Sequence, residues 1–122
     1  MEKKYTFTQG TRKFFRAYVE MIRPFLKNIR TREADVFAEL LYYNYVKKEI
    51  KDPIDRSKIV LGPEIRRDIE KQLHISTAIF RNALSGLRAK GLVKEDNTIS
   101  ETYLVMTDDK KVELKFIFVL EK

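Results

Sequence analysis

From Ser76 to Lys94 the chain carries Arg81, Arg88, Lys90 and Lys94 and not one aspartate or glutamate. A solvated helix ordinarily mixes both signs, so an acid-free stretch of this length is chemically directed. At helical spacing Ile79, Phe80, Ala83, Leu84 and Leu87 fall on one side. Thr77, Ala78, Arg81, Asn82, Ser85, Arg88 and Ala89 fall on the other. That second face has the chemistry of a nucleic-acid reader. Arginine donates a fork of N–H groups to guanine, asparagine pairs with adenine, and small residues permit close approach to a groove. Ser76, Thr77 and Ser85 add short hydroxyl donors for base edges or phosphates. Lys58, Arg66, Arg67, Lys71, Lys90 and Lys94 surround the segment as expected phosphate contacts, joined from further away by Arg12 and Lys13. Gly86 lies mid-helix, where it costs about 1 kcal/mol relative to alanine, and serves either close packing or close backbone approach.

Other chemistries have little to work with. The 122 residues include one histidine and no cysteine, with no glycine-rich phosphate loop and no metal-binding spacing. No enzymatic activity, cofactor or metal is therefore expected. His74 reads as a structural turn residue, and Asp108-Asp109 as a solvated tip.

The charge distribution agrees with the reader face. The formal net charge is +7, held in two blocks. Residues 1–32 carry nine lysines and arginines against two acids, and residues 55–94 carry nine against four. Residues 33–54 and 95–122 are net acidic. Such a surface attracts nucleic acid or anionic lipid, and charge alone specifies neither. No stretch approaches the roughly 18 apolar residues of a membrane span, and no secretory leader is evident at the start. The expectation is a soluble cytoplasmic protein, or one of the host cytoplasm if phage-encoded, with no membrane contact.

The elements that would hold this face follow from periodicity. Residues 1–10 read as a flexible basic arm and 11–122 as a single domain. From Thr11, apolar residues from Phe14 to Ile29 recur every three or four positions as an amphipathic helix, broken near Pro24; a strand over Phe14–Met21 is the alternative. Thr31 is placed to cap a second helix, with Glu33 and Asp35 in its first turn and Lys51-Asp52-Pro53 at its end. Its Tyr42, Tyr43 and Tyr45 suit core and subunit packing better than base stacking. Ile59-Val60-Leu61 suggests a small strand. Gly62-Pro63 opens a third helix, His74-Ile75 turns the chain, and Ser76 caps a fourth helix running to about Lys90-Gly91. Strands are then expected from Leu92-Val93, over Thr102–Met106 and, after a turn at Thr107–Lys110, over Val112–Leu120, where apolar residues alternate.

This order predicts an α+β winged helix-turn-helix fold: about four helices, a β-hairpin wing and a longer C-terminal strand. The helix-turn-helix spans about 62–90 and the wing with the C-terminal sheet about 92–120. The segments Thr31–Leu41, Glu64–Ser76 and Ala83–Val93, the last with its Lys90-Gly-Leu-Val step, resemble the winged helix superfamily. They are similar to MarR-like regulators and to the small replication initiators of plasmids and phages, as is the Phe14–Ile22 segment to the latter. The resemblance implies a double-stranded DNA-binding transcriptional regulator or replication-associated factor. The apolar first helix and last strand suggest a homodimer, which would set two reading helices about 34 Å apart. The rival expectation is a protein-interaction or assembly module of a phage or plasmid system, using the C-terminal strand or the wing, whose Glu95, Asp96 and Glu101 repel phosphate. RNA binding comes third.

Overall fold

The computed structural model describes residues 10–106 and, beyond them, 112, 113, 115, 117 and 119–121. Five α-helices make up the described chain: α1 (Thr11–Ile22), α2 (Thr31–Val46), α3 (Pro53–Val60), α4 (Pro63–Leu73) and α5 (Thr77–Ala89). Single 3₁₀ turns follow α1 (Arg23–Phe25) and precede residue 104 (Glu101–Tyr103). Pro24 ends α1 as its missing N–H requires, and the chain tightens into the 3₁₀ turn.

The second helix is the hub, touching α1, α3, α4 and α5. It is buried almost all round: Val36, Phe37, Leu40 and Leu41 have at most 1% of their surface exposed. The first helix lays its apolar stripe of Phe15, Tyr18, Val19 and Ile22 against it. Phe15 meets the rings of Tyr42 and Tyr45 at 6.3 and 5.7 Å, so the tyrosines pack into the protomer's own core. Of the stripe from Phe14 to Ile29 expected at a dimer interface, Phe15, Tyr18, Val19, Ile22, Leu26 and Ile29 are buried within one chain, Phe14 is half-buried and Phe25 is 62% exposed.

The fold is all-α among the described residues, which overturns the expected α+β winged helix. Ile59-Val60-Leu61 is not a strand. Asp52 accepts hydrogen bonds from the N–H groups of Ile54 and Asp55, and Pro53 takes the first helical position, so Lys51-Asp52-Pro53 starts α3 where it was expected only to end the preceding helix. Arg56, Ser57 and Val60, at helical spacing, then face inward. The expected wing is reduced to one antiparallel bridge, Val93 with Ile99, around a loop in which Asn97 has φ 61°. Strand pairing stops there because the chain winds into the 3₁₀ turn at Glu101. Leu104 is extended, and residues 104–106 form no strand. They lie on the helices, with the Tyr103 carbonyl accepting from the Tyr18 hydroxyl at 2.9 Å and Met106 sulfur accepting from Asn44 Nδ2 at 3.1 Å. The described residues of the expected C-terminal strand, Val112–Leu120, form no strand either. An alternating pattern makes a sheet only where another strand offers a ladder, and Ile117, Val119 and Leu120 are 76–90% exposed. Leu114, Phe116 and Phe118 of that strand, the turn at Thr107–Lys110 and residues 1–9 of the basic arm lie outside the described residues.

Candidate nucleic-acid interface

Two helices and a three-residue turn hold the expected reader face. Pro63 at the first position and Gly62 as N-cap start α4. Its end is closed by His74 in the left-handed region at φ 55°, with the N–H of Ile75 returning to the Glu70 carbonyl at 3.0 Å and that of His74 to Lys71 at 3.3 Å. His74 thus acts through its backbone, and buried Ile75 anchors the turn. Ser76 caps α5, its hydroxyl accepting from the Ile79 N–H at 3.2 Å. Gly91, at φ 74°, ends the helix by the same device: the Leu92 N–H reaches the Leu87 carbonyl at 3.0 Å.

The face divides as the spacing predicts, with two adjustments. Phe80, Ala83 and Leu87 are buried, while Thr77, Ala78, Arg81, Asn82, Ser85, Arg88 and Ala89 are exposed. Ile79 is 39% exposed, and Leu84 is half-buried at the edge of a cleft.

That cleft is the principal feature of the region. Lys58, Leu61, Arg66, Arg81, Leu84, Ser85, Arg88 and Asn97 line an open volume of about 490 Å³. Four cations come from three helices, and no acid lines the cavity. Arg88 is steadied by Asn97, whose Oδ1 accepts from its guanidinium at 2.7 Å. Arg66 lies 3.7 Å from Glu70 Oε2, one turn along α4. Glu70 also accepts from the Thr77 hydroxyl at 2.6 Å, tying the start of α5 to α4. Arg81 and Lys58 have no carboxylate partner among the described residues. Five residues expected to touch DNA are therefore brought together: Lys58, Arg66, Arg81, Ser85 and Arg88.

Others are placed differently. Arg67, Lys71, Lys94 and Lys13 are exposed but do not line the cleft. Lys90 is drawn inward to Glu33 Oε1 at 2.9 Å, with only 19% of its side chain exposed. Burial alone would push Glu33 up, but the Arg30 N–H at 2.9 Å and the Lys90 ammonium hold its carboxyl below the ordinary value. Gly86 faces this same carboxylate, and a Cβ there would overlap it. Close packing is thus the reason for the glycine. Arg12 is also a core-facing group. It lies 3.3 Å from buried Glu39, stacks over Tyr42 at 4.5 Å, and donates to Tyr43 Oη and Gln72 Oε1, both at 3.2 Å. Among the described residues the Arg12 guanidinium is the group paired with the buried Glu39 carboxylate; burial raises the Glu39 pKa, partly opposed by Arg12 and Arg16.

Sequence reasoning missed Leu61, Leu84 and Asn97 in the cleft, and Glu33 as partner of Lys90. The unexplained Gly86 was the one available sign of the last. At the hairpin tip, hydrogen bonds from the Thr98 hydroxyl and N–H hold Asp96 below the ordinary carboxylate value, so this tip stays negative. Among the described residues no helix is long and apolar enough to cross a membrane.

Compared with protein-family models, curated proteins and solved structures, the chain matches none.

Proposed function

We propose that the protein binds double-stranded DNA through α5, without catalysing a reaction on it. The observation that carries this reading is the acid-free exposed face of Thr77, Arg81, Asn82, Ser85 and Arg88 running beside a cleft lined by four cations. A helix of 13 residues is about 20 Å long and fits a major groove about 12 Å wide. Arg81 and Asn82, adjacent and exposed, are the base readers, and Arg66, Arg88 and Lys58 address the backbone. The finer role, in transcriptional regulation or replication, draws on the resemblance of the helical segments to MarR-like regulators and replication initiators.

The test is a pair of substitutions measured on a selected duplex and on mixed-sequence DNA. Arg81→Ala and Asn82→Ala should each cost about 1–3 kcal/mol on the selected site and less on mixed sequence. Both variants binding as tightly as the parent on both substrates would remove α5 as the reader. A second reading, a protein-interaction module, draws on exposed Ile117, Val119 and Leu120. It gains if duplex binding is absent while the chain still captures a protein partner that a truncation after Lys111 loses.

A further inference from the structure

The cleft between α3, α4, α5 and the Val93–Ile99 loop has the chemistry of a dedicated site. Lys58, Arg66, Arg81 and Arg88 share one concavity with no acid in its lining. Like charges gathered around one cavity repel, and the repulsion is relieved when an anion enters. Arg88 is oriented by Asn97 and Arg66 is partly offset by Glu70 at 3.7 Å, while Arg81 and Lys58 bring uncompensated charge. Leu61 and Leu84, both half-buried, form the apolar part of the wall.

We infer that this cleft is a phosphoryl-binding site. A carboxylate has two oxygens and is satisfied by one guanidinium fork. A phosphoryl group presents more acceptors in several directions, which matches donors converging from three helices and the Ser85 hydroxyl. The phosphoryl group can come from a DNA backbone or from a free phosphorylated compound. For the first source the inference rests on the DNA reading, with Lys58, Arg66 and Arg88 on the phosphate and Arg81 turned to the bases; for the second it stands without that reading, and all four cations face the ligand. Lys58 is the informative residue, because it reaches the site from α3 and not from the reader helix.

The experiment titrates the full chain with pyrophosphate by calorimetry at low salt, and with a duplex across a salt series. The parent, Lys58→Gln, Arg81→Gln and the off-cleft control Lys27→Gln are compared, with circular dichroism confirming the helices. All three positions are exposed, so the fold is kept. Loss of a charge-assisted bond predicts about tenfold weaker pyrophosphate binding for Lys58→Gln and Arg81→Gln, and none for Lys27→Gln. On DNA, Lys58→Gln should reduce the slope of log K against log salt by about 0.9. If pyrophosphate binding responds in this way but no duplex binds, the DNA reading fails and the site belongs to a free phosphorylated compound. If duplex binding falls with Asn82→Ala while Lys58→Gln alters neither pyrophosphate binding nor the salt slope, the DNA reading stands and the phosphoryl site is overturned. No pyrophosphate binding by the parent, with no effect of Lys58→Gln on DNA, overturns it as well.

Discussion

Replacing Gly86 by alanine tests the packing that orients α5. In an isolated helix this change stabilises by about 1 kcal/mol. Here the new Cβ would lie 2.6 Å from Glu33 Cδ and closer still to its Oε2. Glu33 is not a free side-chain end that can swing away: it is 5% exposed, accepts from the Arg30 N–H at 2.9 Å and pairs with Lys90 at 2.9 Å. Displacing it weakens both charge-assisted bonds without abolishing them, together a loss of about 2–4 kcal/mol, more than the gain in helix propensity. Gly86→Ala should therefore destabilise by about 1–3 kcal/mol once that gain is subtracted. Urea denaturation measures it. The matched cycle is decisive: in a Glu33→Ala background the carboxylate is gone, and Gly86→Ala should become neutral or stabilising. Equal effects of Gly86→Ala with and without Glu33 would refute the account of the glycine, as would a more stable single variant.

Two further outcomes follow from the same placements. Lys90→Gln should cost about 1–3 kcal/mol in stability, because it strips a largely buried carboxylate of its cation, yet leave the salt slope of DNA binding unchanged; a reduced slope would put Lys90 on phosphate after all. Glu39 holds its proton more tightly in the folded chain than in the unfolded one, so stability falls as pH rises from the ordinary glutamate value, near 4.5, through the raised one. Glu39→Gln should then raise Tm at pH 7 and lose that advantage by pH 4, whereas a lower Tm at pH 7 would show that the pairing with Arg12 outweighs burial.

The sequence was most legible where local chemistry and packing agree. Gly62-Pro63, Ser76 and Gly91 set helix ends that the structure keeps, and the inward set Phe80, Ala83 and Leu87 follows from periodicity alone. Ile59-Val60-Leu61 misled because three apolar β-branched or leucine residues carry no period of their own. The arbiter was upstream, in the Asp52-Pro53 cap. The strands failed for a different reason: a strand needs a partner, and one sequence does not say whether a partner exists. Tyr103 lies instead against Tyr18, 85 residues away in the chain. Within the site, Arg81, Ser85 and Arg88 were legible because they share a helix with no acid. Arg12 and Lys90 look identical to surface cations in sequence. Only their distance from the buried carboxylates Glu39 and Glu33 separates them from groups free to meet a phosphate. Asn97 joined the cleft through loop geometry, which residue type does not encode.

The central claim, that α5 binds duplex DNA, is tested most directly by one salt-dependent titration. The parent protein is titrated with a duplex pool enriched by selection, with mixed-sequence duplex and with matched RNA. The account predicts linear loss of log K with log salt on both duplexes, and an added salt-insensitive preference for the selected pool. RNA should bind only as tightly as its charge dictates. Duplex binding that is absent at low salt, or no tighter on the selected pool than on RNA of the same length, would contradict it.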